Sequence, residues 1–142
     1  VAYANSLWVA VGASGTILTS PDGTSWTSRT SGTSKNLSGV AYANGLWVAV
    51  GNSGTILTST NGTTWTSRSS GTTSDLRGVA YTDGLWVVVG DNGTILTSTN
   101  GTTWTPAPSS TTSDLSGVAY TDGLWVVVGN SGMISTARVI IP

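Results

Sequence analysis

The chain has 142 residues, a mass of 14.4 kDa and a net charge of −1, the size of one domain able to bury roughly two-thirds of its unfolded surface. Charged residues make up only 8% of it, against a usual share of about 25%, and 21 Ser with 25 Thr take their place. His, Cys and Glu are absent, which removes most acid–base, metal-ligand and disulfide chemistry and argues against an enzyme, a metal site or a cofactor; the near-zero net charge and lack of any long apolar run argue against nucleic-acid partners and membrane insertion.

The sequence repeats with a period of 39 residues. All seven tryptophans fall on two registers, Trp8, Trp47, Trp86 and Trp125 in one, Trp26, Trp65 and Trp104 in the other. Between residues 39–77 and 78–116, 29 of 39 positions are identical. Such identity points to recent duplication or deliberate repetition, and the period belongs to solenoids, propellers or arrays. Repeat boundaries fall at about 1–38, 39–77, 78–116 and 117–142. With Val1 at its start and no signal peptide evident, the sequence reads as a processed, trimmed or partial chain.

Within a repeat the elements follow in order. A first strand is expected over 38–43, with Val40 and Tyr42 on one face and Ala41 and Ala43 on the other. Asn44-Gly45 then predicts a type I′ hairpin, whose two central residues both need positive φ. The second strand, 46–51, is apolar on both faces (Leu46, Val48 and Val50 against Trp47, Ala49 and Gly51), as suits a sheet covered on both sides. Asn52-Ser53-Gly54 turns into a third strand over 55–60, and Asn61-Gly62 turns tightly again into a fourth over 64–69. No helical periodicity intervenes, and the Gly, Thr, Val and Trp content disfavours helix. Four antiparallel strands per repeat, in a meander, describe the blades of an all-β propeller. The fourth repeat departs after Gly132, with Met133-Ile134-Ser135-Thr136-Ala137 and an apolar tail, Arg138-Val139-Ile140-Ile141-Pro142, that either extends the third strand or fills the place of the fourth.

Ser20-Pro21-Asp22-Gly23-Thr24-Ser25-Trp26 resembles the Asp-box hairpin of bacterial neuraminidase repeats. Asn61 with Trp65, and Asn100 with Trp104, stand in the same frame twice more. The preceding Gly-Thr-Ile-Leu-Thr-Ser, beginning at Gly15, Gly54 and Gly93, is similar to repeats of photosystem II assembly-factor-like and bacterial surface propellers. The resemblance implies a propeller in which Asp22, Trp26, Asn61, Trp65, Asn100 and Trp104 have structural roles. These boxes are one residue shorter than the family pattern, and two carry Asn for Asp; an Asx side chain still bonds its own turn. The sialidase activity of that family does not carry over, because its nucleophile pair needs a Glu and the five basic residues here are scattered.

Loops on a rigid scaffold are where binding usually sits. In a meander blade the second-to-third-strand turns and the blade connections share one face. The candidate ligand residues there are Asn52, Arg68, Asp75, Arg77, Asp91 and Asp114, with Asn130 on the same face. Arg29 and Arg68 occupy equivalent positions and suit either an acidic ligand or solvated loops. Asp75 and Asp114 precede strands, where Asp normally caps a turn. The second-strand tryptophans suit core filling between blades better than stacking on sugar rings.

The expected function is therefore non-enzymatic, a repeat module for binding or surface architecture, with glycans as the candidate ligands of a lectin-like version. The alternative is a purely structural or engineered self-assembling array with no small ligand. A secreted or cell-surface location suits the composition, and Asn36, Asn61, Asn92 and Asn100 lie in Asn-x-Ser/Thr sequons. An open array leaves an uncovered apolar face at each end, so a homo-oligomer is expected. A dimeric eight-blade ring is preferred to a lone four-blade ring or a filament.

Overall fold

The computed structural model describes residues 1–138, and it is an all-β array of propeller-like blades. The first blade comprises β1 (Ala2–Ala4), β2 (Leu7–Val11), β3 (Ile17–Ser20) and β4 (Thr27–Arg29). The second comprises β5 (Leu37–Ala43), β6 (Leu46–Gly51), β7 (Thr55–Ser59) and β8 (Thr66–Arg68). The third comprises β9 (Leu76–Thr82), β10 (Leu85–Gly90), β11 (Thr94–Ser98) and β12 (Thr105–Pro106). The fourth has β13 (Leu115–Thr121), β14 (Leu124–Gly129) and β15 (Ile134–Arg138) among the described residues. Every sheet is an antiparallel meander with its strands in chain order. No helix is long and apolar enough to cross a membrane among the described residues.

The turns explain this regularity. Asn44 and Gly45 have φ of 52° and 79°, and Asp83-Gly84 and Asp122-Gly123 match them, as a type I′ turn requires. The connection after the third strand differs from the expected tight hairpin. In it only Gly62 has positive φ, and the fourth strand does not begin until Thr66. A loop held by side chains replaces the two-residue turn. The fourth strand shrinks to Thr105–Pro106 in the third blade, because Pro106 has no N–H to donate and Pro108 follows closely. In the fourth blade β15 pairs with β14 as far as Arg138 opposite Leu124; residues 139–142 of the expected tail lie outside the described residues.

Blades pack face to face in chain order, each against the next. The joint between the second and third blades shows the pattern. Val48, Val50 and Ile56 of one meet Trp86, Val88 and Leu96 of the other. Trp47 and Trp86 are each 1% exposed, so these tryptophans fill the space between blades. The first strands β5, β9 and β13 run side by side across the joints. Their backbones come into contact at Gly39, Gly78 and Gly117, where a Cβ on Gly39 would lie 3.4 Å from the Arg77 carbonyl oxygen. Beside each of these glycines the ladder is interrupted, since Leu37 pairs with Gly51 and Gly39 with Val50. Ser38 is thus a bulged residue, and a bulge redirects its side chain: the Ser38 hydroxyl donates to Leu76 O of the next blade at 2.7 Å.

Candidate functional site

The loop after each third strand is built by one hydroxyl and one Asx side chain. Ser59 Oγ accepts from Gly62 N at 2.8 Å and donates to Asn61 Oδ1 at 3.1 Å. Asn61 Oδ1 accepts from Thr63 N and Thr64 N at 2.9 and 3.0 Å. Trp65 Nε1 donates to Gly62 O at 3.0 Å. Asp22 and Asn100 repeat this geometry with Ser20 and Ser98, so a single acceptor oxygen performs the task in carboxylate and amide alike. The Ser25 and Thr24 backbone N–H groups hold the Asp22 carboxyl well below the usual carboxylate range. In space, each of the later loops leans on the preceding blade: a Cβ on Gly101 would strike Leu46, and Trp65 packs against the Val9 cluster.

The candidate ligand residues divide into joints and one ion pair. Asp75 Oδ1 accepts from Ser53 N at 2.8 Å, and Asp114 Oδ1 accepts from Asn92 N at 2.9 Å. Both acceptors sit at the start of one blade and cap the second-to-third-strand turn of the blade before it. Asn36 does the same for Ser14 at the first joint. The capped residues have φ near 57°, so the cap sits on a left-handed turn. Asn52 contributes its backbone N–H, which donates to Asn36 O at 2.8 Å. Arg68 Nε donates to Thr58 Oγ1 across the β7–β8 ladder at 2.9 Å, as Arg29 does to Thr19.

Arg77 is the bulged residue of β9, which turns its guanidinium toward Asp91. Nε and Nη2 donate to the two carboxylate oxygens at 2.9 and 2.8 Å. Asp75 stands 3.7 Å from Nη2. The bidentate bond from Arg77 holds the Asp91 carboxyl below its ordinary range, and Asp91 in turn raises Arg77. Arg77, Asp91, Asp114, Leu115, Ser116 and Asn130 line one recess of about 210 Å³. The fold thus brings Arg77, Asp91 and Asp114 together with Asp75 beside them, and leaves Asn52 and Arg68 at the neighbouring joint. There a recess of about 630 Å³ is lined by Arg68, Gly54 and the Ser69–Thr73 connection. It lacks the apolar and aromatic walls of small-molecule pockets.

Sequence reasoning missed the connection serines. Ser70 Oγ donates to Thr72 O and accepts from Thr72 N, folding the connection over Gly54. A Cβ there would overlap the Thr72 carbonyl oxygen and sit 2.8 Å from Ser70 Oγ. Ser31 and Ser109 act alike at the other joints. Their recurrence every 39 residues was the available signal. Among the described residues no group of His, Cys, Asp or Glu is arranged to hold a metal ion.

Two blade faces differ from the rest. Residues that are covered in the second and third blades have counterparts at the array's ends that are not. At the leading end Trp26 is 40% and Tyr3 54% exposed, where Trp104 is buried and Tyr81 packs in a joint. At the trailing end Val128 is 40% and Ile134 69% exposed, where Val89 and Ile56 are fully buried. Among the described residues no comparable contact joins the fourth blade to the first. Trp125 Nε1 is buried without a hydrogen-bond partner among the described residues; the corresponding Nε1 of Trp86 lies beside Gly101 of its own loop.

No family model and no curated protein matches the chain. Among solved structures it is similar to the crystal structure of the computationally designed Ika4 protein, with a TM-score of 0.77 and 15% sequence identity, over 96% of this chain and 88% of that one. At that identity the likeness concerns the fold.

Proposed function

We propose that the chain is a structural repeat module, a self-assembling blade array with no small ligand and no catalytic activity. The observation that carries this reading is the use to which the loop-face polar groups are put. Asp75 and Asp114 cap turns of the preceding blade, and Arg77 and Asp91 satisfy each other. These groups are oriented by the scaffold's own turns and by each other. Among the described residues the exposed large apolar side chains lie at the two ends. The likeness to a computationally designed protein and the 29 of 39 identities between adjacent repeats both fit such an array. The boxes at Asp22, Asn61 and Asn100 belong to this reading as Asp-box-like structural loops.

A glycan array together with calorimetric titration tests it. No heat of binding is expected up to millimolar monosaccharide, and no glycosidase substrate should turn over. Saturable sugar binding that Arg77→Ala abolishes without unfolding the chain would establish the lectin-like alternative instead.

A further inference from the structure

We infer that the partner of the exposed leading face is the exposed trailing face of a second copy of this chain, and that two chains close head to tail into an eight-blade ring. The inference rests on the structural reading above and names its partner. The occupant is specified by the molecule's own joints. Shifted by one repeat, Tyr3, Trp8, Ala10, Leu18 and Trp26 are the counterparts of Tyr42, Trp47, Ala49, Leu57 and Trp65, the residues with which the second blade covers the first. Shifted the other way, Leu124, Val126, Val128 and Ile134 are the counterparts of Leu85, Val87, Val89 and Ile95, with which the third blade receives the fourth. One end therefore presents what every blade offers its predecessor, and the other what every blade offers its successor.

The polar register agrees. At the third joint Tyr120 Oη donates to Asp83 Oδ2 at a long 3.4 Å. The same shift places Tyr3 of one copy opposite Asp122 of the other. Ring size follows from counting. Four blades leave the ends apart, with Trp26 and Ile134 in solvent. Two chains supply about eight blades, within the usual range of roughly four to eight, and three would exceed it. A head-to-tail contact that closes gives a ring, and one that fails to close gives a filament.

Analytical ultracentrifugation of two single variants tests this, with far-ultraviolet circular dichroism to check that each is folded. Tyr3→Asp places a charge on the leading face, and Ile134→Lys places one on the trailing face. Both sites are exposed in the single chain, so folding should survive; Trp26→Ser and Val128→Lys serve if either variant misfolds. Each variant alone should lose two-chain association by about 100-fold or more, since every joint then carries an unpaired buried charge. Mixing the two should restore a two-chain particle, because one joint in the pair is then native on both sides. A variant of one face that dissociates while the other stays paired would mean face-to-like-face contact and overturn the inference. Polydisperse growth of the unmodified chain would replace the ring by a filament. A chain that stays single but binds no sugar removes the ring and leaves the structural reading; a two-chain particle that binds sugar does the reverse.

Discussion

Asn61 shows how little chemistry a loop of this kind needs. Its side-chain oxygen collects two backbone N–H groups, and Asp22 collects the same two with a carboxylate. Asn61→Ala orphans both donors at a solvent-exposed loop and should cost about 1 kcal/mol in chemical denaturation. Asp22→Asn keeps both acceptor bonds but makes them neutral, so at neutral pH it should lower the midpoint by less than Asn61→Ala does. The carboxylates also fix the pH response. Asp22 and Asp91 have folded values below the ordinary one of about 3.9, so their stabilising contribution is present above that value and disappears only as pH falls through the lower folded values. With no His, Glu or Cys, the chain carries no side-chain type whose ordinary value lies between about 5 and 8. The thermal midpoint should be flat over pH 5 to 7 and fall below about 3; a drop between 7 and 5 would contradict this assignment. Gly54, like its counterparts Gly15 and Gly93, is a restrictive position, since positive φ and the Thr72 carbonyl both exclude a side chain. Gly54→Ala should lose about 3 kcal/mol or more, from left-handed strain plus a displaced connection.

At the scale of elements, legibility depended on whether a signal was local. The Asn44-Gly45 hairpin and the apolar second strand were readable because turn chemistry and periodicity act within a few residues. The same dipeptide at Asn61-Gly62 misled, because Ser59 and Asn61 hold a wider loop that outcompetes a type I′ turn. The shared face of Asp75, Arg77, Asp91 and Asp114 followed from the meander. What Asp75 and Asp114 bind did not, because each partner lies in another blade's turn, 22 residues away in both cases. Asp75 should therefore behave as part of a joint. Asp75→Ala leaves Ser53 N without its acceptor and should cost about 1 kcal/mol, whereas Asp75→Asn should be tolerated, as Asn36 performs the same task at the first joint. Hydrogen exchange should show the loss on both sides of the joint, at the 52–54 turn and at the start of β9, and a loss confined to β9 would refute the joint.

At the scale of the whole molecule, one rule is applied three times and left open at both ends. Each blade lays its Trp-bearing face on the Val- and Ile-bearing face of the blade before it. Burial of those faces is the dominant favourable contribution available to a chain so poor in charge, and the same physics acts on the exposed ends. Light scattering of the unmodified chain across a concentration series is the most direct measurement of this account. The expected result is a single species of about twice 14.4 kDa that dissociates only on dilution. A folded particle of 14.4 kDa that persists at the highest concentration would contradict it.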